Sequence, residues 1–482
     1  MITIPGRKMM LCDGPTRREL MRVGSVGLMG LNLAHFFSWQ KAQAATVNSL
    51  VGSKGFGQAK SVIMIFLQGG PSHIDIWDPK PDAPLNIRGE FKPIKTKIPG
   101  TMISETMPMM ANALDKATLI RSMSYTPAGL FNHTAAIYQM LTGYTPDKVS
   151  PSGQLEPPTP ADFPTAGSHI SKILPPKEPV LPFVELPRPL QESGIIGKGG
   201  SAGFLGKAYD PYRLYQDPAK PISIDDLTLR KEVPAERLKE RFELLKGING
   251  SMPDLEKALN KQAVDEYYAK AYDLVLSGKA RGAFDLTKET VQMRERYGMT
   301  TFGQGLLLSR RLIEAGTRFV QMNWPSVANG DAEKDSWDTH ASNFRPLKNL
   351  HCPKLDRGLS ALLEDMHDRG LLKETLVVAV GEFGRSPRIG VSTSGNTNAP
   401  DGRDHWPYCY SSIIAGGGVS AGRQYGESDA TASSPKDKPV HPTDLLATIY
   451  YALGINPAME VLNHLNQPRE LVKGKILGDL WA

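Results

Sequence analysis

Short, unbroken apolar runs recur along the chain. The clearest are Ser61-Val62-Ile63-Met64-Ile65-Phe66-Leu67, Ala117-Thr118-Leu119-Ile120, Thr317-Arg318-Phe319-Val320-Gln321-Met322, Thr375-Leu376-Val377-Val378-Ala379-Val380 and Ser411-Ser412-Ile413-Ile414-Ala415. Runs that are apolar throughout, rather than at alternate positions, suit a sheet covered on both faces, so they read as buried parallel strands. Helical patterns separate them, as in Phe302 to Ala315 before the third run and Leu359 to Arg369 before the fourth. Strand and helix in alternation predict an α/β fold with a doubly wound, mostly parallel sheet.

Two regions break this rhythm. Residues 144–215 are rich in Pro and Gly and read as long loops, with Pro157 to Pro189 running over the surface. Residues 234–300 are charged and helical, as in Ala235-Glu236-Arg237-Leu238-Lys239-Glu240-Arg241-Phe242, and read as a helical insertion or cap on a domain spanning 45–482. No internal repeat is visible.

The first 44 residues follow a different pattern. Thr16-Arg17-Arg18-Glu19-Leu20-Met21-Arg22 precedes a glycine-containing apolar stretch from Val23 to Phe37, and Ala42-Gln43-Ala44 supplies a small-x-small cleavage site. Those three parts make a secretory signal, and the paired arginines point to the twin-arginine route and its translocase. An ordinary secretory signal with a chance Arg pair and an uncleaved anchor are the alternatives. Each takes the protein out of the cytoplasm, so the expected location is periplasmic or extracellular. Beyond the leader no apolar run reaches spanning length, so no transmembrane span is expected after cleavage.

Charge and cysteine content narrow the picture further. Of the net charge of +6, the leader contributes most, with six basic against two acidic side chains. No basic run interleaved with aromatics appears, and a nucleic-acid partner is not expected. Cys12 lies in the leader, so only Cys352 and Cys409 remain for at most one disulfide, and no close Cys/His spacing marks a zinc motif.

In open α/β sheets, ligands bind beyond the carboxyl ends of the strands, so residues following each run deserve the closest reading. After the first comes Gln68-Gly69-Gly70-Pro71-Ser72-His73-Ile74-Asp75. After the third come Asn323-Trp324-Pro325 and then Trp337-Asp338-Thr339-His340, and after the fourth Gly381-Glu382-Phe383-Gly384-Arg385-Ser386. Downstream lie Gly402-Arg403-Asp404-His405-Trp406 and His441-Pro442-Thr443-Asp444. Among His73, His133, His340, His405 and His441, four lie within three residues of an Asp. Imidazole with carboxylate is the ligand chemistry that zinc, manganese or iron accept. Each His–Asp pair is equally able to brace a loop.

One further segment, Asn132-His133-Thr134 through Leu141-Thr142-Gly143, reads as a loop entering a helix that ends in a glycine cap. A helix entrance offers free N–H groups to an anion, and Thr134 there is a candidate nucleophile. Alternatively Asn132 or Thr134 simply caps the helix.

These segments, in this order, resemble the alkaline-phosphatase/sulfatase superfamily. Within it the chain is similar to the exported bacterial proteins grouped as domain of unknown function 1501. The shared marks are Gly69-Gly70-Pro71-Ser72-His73, Asn132-His133, Gly203-Phe204-Leu205-Gly206, Trp337-Asp338-Thr339-His340, Gly381-Glu382-Phe383-Gly384-Arg385 and Gly402-Arg403-Asp404-His405-Trp406. The resemblance covers essentially the whole chain after the leader. It implies hydrolysis of phosphate or sulfate esters with one or two divalent metals (zinc, manganese, calcium or magnesium). It implies an anionic small-molecule or polysaccharide ester as substrate.

By the same resemblance the metal ligands come from His73, Asp75, Asp338, His340, Glu382, Asp404, His405 and His441. Asp75 lies further past its strand than the superfamily's first carboxylate, and Phe383 replaces a ligand histidine, so His405 or His441 would supply the missing imidazole. Counting back from Gly143, the nucleophile slot falls at His133, with Thr134 adjacent. On a hydrolase reading Arg385 and Arg403 would clamp the anionic oxygens; the alternative is that they lie on the surface or brace loops. No Cys-x-Pro-Ser-Arg segment is present, which argues against a formylglycine sulfatase. The competing expectation is a non-catalytic exported binding or surface-assembly protein that keeps the fold. The two part on whether these distant side chains meet.

Overall fold

Six consecutive buried residues, Ser61–Phe66, form strand β1, and the sheet is assembled outward from it. In this computed structural model the described residues are 50–146, 157–192, 195–224, 227–229, 233–250, 271, 274–325 and 337–482. The expected leader (1–44) and residues 251–270 of the expected insertion lie outside them. The fold below is that of the unit Gly57–Ala482.

The other strands of the sheet are β2 (Thr118–Met123), β3 (Phe183–Leu186), β4 (Tyr212–Arg213), β5 (Phe319–Asn323), β6 (Thr375–Val380), β7 (Tyr410–Gly416) and β8 (Arg423–Tyr425). They lie in the order β8-β2-β7-β6-β1-β5-β3-β4. All neighbours are parallel except β7, which runs against both β6 and β2. All five runs seen in the sequence are strands, but the fifth is antiparallel. Burial on both faces makes such a run apolar whichever way it points, so its pattern carries no direction.

Helices cover both faces, the doubly wound arrangement. Along β1, β5 and β6, Ile63, Ile65, Val320, Met322, Val377 and Ala379 share one core with Leu306, Leu307, Leu355, Leu359 and Leu362. Those leucines belong to two long helices, Thr301–Ala315 and Cys352–Asp368. The first is capped by the Thr300 side chain and stopped by left-handed Gly316. The alternate strand residues are also buried, and there Ala166–Ile173 packs on β5 and β3. A Cβ on Gly167 would sit 2.6 Å from the Phe183 ring, so the helix can approach only as glycine.

This corrects the reading of residues 144–215 as surface loops. Ala166–Ile173 and β3 both fall in that stretch and are buried. Prolines at 182 and 187 bracket a four-residue strand carrying Glu185, a composition that resembles a turn. The expected insertion does contain helices, Ala235–Gly250, Lys279–Phe284 and Val291–Tyr297.

The register fixes where chemistry gathers. Phe66 pairs with both Asn323 and Val380, so β1, β5 and β6 end level with one another. β2 ends at this rim too, and antiparallel β7 begins there. Five chain segments therefore emerge at one edge.

His169, on the buried face of Ala166–Ile173, bonds the Tyr450 hydroxyl at 2.9 Å. Burial, helped by Lys172, pushes its pKa down to about 3 from 6.5. The folded state then holds fewer protons than the unfolded one between those values, so stability present above pH 6.5 is lost as pH falls. At about 1.4 kcal/mol per pH unit, lowering pH from 6.5 to 5 costs roughly 2 kcal/mol. Urea unfolding of His169→Gln should lack this loss, so the wild type should decline by that much more over the interval.

Candidate metal centre

The buried carboxylate of Asp338 is the hub of the rim. His340 Nε2 lies 3.1 Å and His405 Nε2 3.4 Å from its Oδ1, while His133 Nε2 lies 3.3 Å from its Oδ2. The two imidazoles on Oδ1 face each other, with 2.8 Å between their Nε2 atoms. Arg385 reaches the same Oδ1 with Nη2 at 2.5 Å. None of Asp338, His133, His340 and His405 is more than 7% exposed.

Each imidazole is oriented from behind. His133 Nδ1 meets Glu382 Oε1 at 2.6 Å, His405 Nδ1 meets the Phe131 carbonyl at 2.6 Å, and His340 Nδ1 faces Asp404 Oδ1 at 3.3 Å. A ring held by an acceptor at Nδ1 carries its proton there and turns a lone pair outward at Nε2. His405 thus turns a lone pair toward Asp338 Oδ1, His340 presents its Nε2 to the same oxygen, and His133 lies between Asp338 and Glu382.

Local structure explains how each group arrives. His133 opens the helix His133–Thr142, whose entrance is capped by the Asn132 side chain accepting from Ala135 N. Gly384–Arg385 and His405–Trp406 form a two-residue antiparallel ribbon in which Arg385 and His405 are direct partners, so both project to one face. Gly69, at φ +112°, lets the loop after β1 press on the Trp337–Asp338 backbone, where a Cβ would come within 2.7 Å of Asp338 N. A Cβ on Gly402 would lie 2.0 Å from the His340 carbonyl, so the two loops can meet only there as glycine.

Electrostatics make the centre demand positive charge. Burial alone would raise Asp338, yet Arg385 and His133 hold its pKa well below the carboxylate range. Burial opposes charge on His133, but Asp338 and Glu382 outweigh it and raise its pKa to about 10. Burial and the nearby His133 push His405 down to about 3. Despite burial, Asp404 falls to about 2, because Ser394, Thr393 and the His405 N–H all donate to it.

Two trios present ligand atoms within 4.8 Å of one another: His133, Asp338 and His405, and His340, Asp404 and His405. Tetrahedral bonds of roughly 2.0–2.1 Å place ligands about 3.3 Å apart, close to the spacing around Asp338. The donor set, two neutral Nε2 lone pairs beside a carboxylate, fits a divalent transition metal.

The remaining expected residues lie elsewhere or are already committed. Asp75 takes Arg403 on both oxygens, at 2.7 and 3.0 Å, and also accepts from Ser72 and Asn343, so a buried ion pair replaces the expected ligand. His73 Nε2 meets the Ala432 carbonyl, and burial lowers its pKa. His441 caps the helix Pro442–Ala452, accepting from Thr443 N while Asp444 returns the bond. Asn132 Oδ1 accepts from the Thr134 hydroxyl at 2.7 Å, so that hydroxyl braces the cap.

Neither arginine is free to clamp an ester. Arg385 also donates to the carbonyls of Gly69, Gly70 and Arg403, and Arg403 to those of Ser386, Pro387 and Ile87. Both are fully buried. Sequence reasoning missed the Phe131 carbonyl, which leaves no mark in residue type, and Asn343. It also missed Glu185, bound to Arg213 and Asn323, whose signal is a lone acid inside an apolar run.

A model of the family described as "Protein of unknown function (DUF1501)" matches residues 59–480. No protein of curated function matches. Similar solved structures include a phosphonate monoester hydrolase from Silicibacter pomeroyi, 12% identical over 88% of this chain and 76% of that chain, TM-score 0.38. A sulfatase from Pseudoalteromonas sp. is 13% identical over 86% and 71%, TM-score 0.36. A lipoteichoic acid synthase from Listeria monocytogenes is 11% identical over 86% and 78%, TM-score 0.33.

Asp75→Asn should cost about 3–5 kcal/mol in urea unfolding, because it strands the buried Arg403 charge. Its bound-metal content, read on the folded fraction, should equal that of the wild type.

Proposed function

The chain belongs to the DUF1501 family, and from that premise we propose that it is an exported, divalent-metal-dependent hydrolase of phosphate or sulfate esters. One observation carries the reading: the Nε2 atoms of three buried imidazoles gather 3.1–3.4 Å from the oxygens of one buried carboxylate, with acceptors behind His133 and His405 at Nδ1. The Nε2 atoms of His340 and His405 meet at 2.8 Å beside one carboxylate oxygen, a gathering of nitrogen and oxygen ligand atoms that a bound cation satisfies.

Asp338, His340 and His405 are the ligands on this reading. That leaves a coordination position open, as catalytic rather than structural sites do. A bound divalent ion would supply Lewis-acid polarisation of the ester oxygen. His133 stands on the other side of Asp338, held by Glu382 and seated at the first turn of a helix whose positive end favours an anion. Its Nε2 is placed to hold or release a proton at the substrate oxygen. Arg385 fixes Asp338 and the Gly69–Gly70 carbonyls, and so positions the carboxylate rather than the substrate. Thr134 takes no part in the step.

Elemental analysis of the folded protein should find a divalent metal, and a panel of phosphate and sulfate monoesters should reveal turnover. His405→Ala should lose the metal, and His133→Ala should keep it while losing roughly 10²–10⁴-fold in kcat, the usual worth of a proton-transfer group. A folded protein without metal or turnover would retire the hydrolase. Export through the twin-arginine translocase predicts that changing both Arg17 and Arg18 to Lys leaves the protein in the cytoplasmic fraction.

A further inference from the structure

We infer that the centre takes one divalent ion, not two, and that Glu382 and Asp404 are positioning carboxylates behind His133 and His340 rather than ligands. This rests on the metal reading above and deepens it.

The two candidate trios share His405. Its Nδ1 is spent on the Phe131 carbonyl, so a single lone pair at Nε2 must serve both. An imidazole nitrogen has one lone pair and cannot bridge two ions. One trio therefore goes without.

Asp404 decides which. Its Oδ2 accepts from Thr393 N at 2.5 Å and Ser394 N at 2.7 Å, and its Oδ1 from Ser394 Oγ at 2.6 Å and His405 N at 2.7 Å. A carboxylate offers about four lone-pair sites, and four donors fill them. What Asp404 still provides is charge beside His340 Nδ1. Without Asp404 as ligand, His340 and His405 have Asp338 as their remaining carboxylate, 3.1 and 3.4 Å away. The three form one coordination group.

Glu382 belongs to neither trio and meets His133 instead. Its Oε1 accepts from His133 and from Gly69 N at 2.8 Å, and its buried Oε2 has no hydrogen-bond partner among the described residues.

The test is titration of the metal-stripped full-length protein with zinc(II), counting bound ions, and with cobalt(II), recording its visible absorption. One ion per chain is expected. Glu382→Gln and Asp404→Asn should still bind one ion, with Kd weakened about 10–100-fold, the usual effect of losing an outer partner. Their cobalt spectra should keep the wild-type band positions, because the ligands are unchanged. Glu382→Ala should bind more weakly than Glu382→Gln, whose amide oxygen still accepts from His133 Nδ1.

Two ions per chain, or a cobalt spectrum altered by Glu382→Gln, would overturn the inference and leave the metal reading standing. No bound ion in the folded wild type would remove both. Unfolding temperatures identify any variant that fails to fold, and Asp404→Asn and Glu382→Gln test the same claim from independent loops.

Discussion

A carboxylate buried to the extent of Asp338 has to be answered by positive charge, and the rim of the sheet is organised around that demand. Arg385 answers it permanently, at 2.5 Å. In the metal-free protein His133 answers it a second time, held as an imidazolium between Asp338 and Glu382 with its pKa raised to about 10. A proton thus sits where the charge of the centre asks for a cation. The carboxylate that stabilises that proton on Oδ2 also gathers His340 and His405 on Oδ1.

Holding that carboxylate in place falls to the backbone. Level strand ends bring the loops after β1, β5 and β6 together, and close approaches at Gly69 and Gly402 join them without intervening side chains. Arg385 converts this into rigidity by gathering three loop carbonyls along with Asp338. Arg403 repeats the arrangement one layer back, with Asp75 as counter-ion. Two fully buried arginines with every face occupied read as scaffolding: each fixes loops that have no regular secondary structure of their own. A loop-built site needs such ties if its ligands are to stay within a few tenths of an ångström.

How much of this could be read from the sequence depends on what each residue's role requires. β1, β5 and β6 were legible because central strands must be apolar on both faces. His340 and His405, each within two residues of an Asp, were legible as side chains that gather at the rim. Arg385 and Arg403 were visible as candidates with clamping and loop-bracing both open, since an arginine that braces carbonyls has the same letters around it as one that faces substrate. His441 carried its own explanation: a Pro at the first helical position and an Asp at the third are the marks of a capped helix start. Which groups meet Asp338 directly and which stand behind its imidazoles was not legible at all. It depends on which ring nitrogen faces which acceptor, and for His405 the acceptor is a peptide carbonyl.

Phe383 ties these strands of the argument together. Its ring packs against both His133 and His405, with centroids 4.8 and 4.7 Å away. A phenyl ring cannot coordinate, but it excludes water and fixes the planes of the two imidazoles beside it. His405 reaches that ring across the two-residue ribbon, opposite Arg385, from a segment twenty-two residues later in the sequence. What gathers at this rim is therefore set by place in space, which the ribbon supplies, and not by place in the chain.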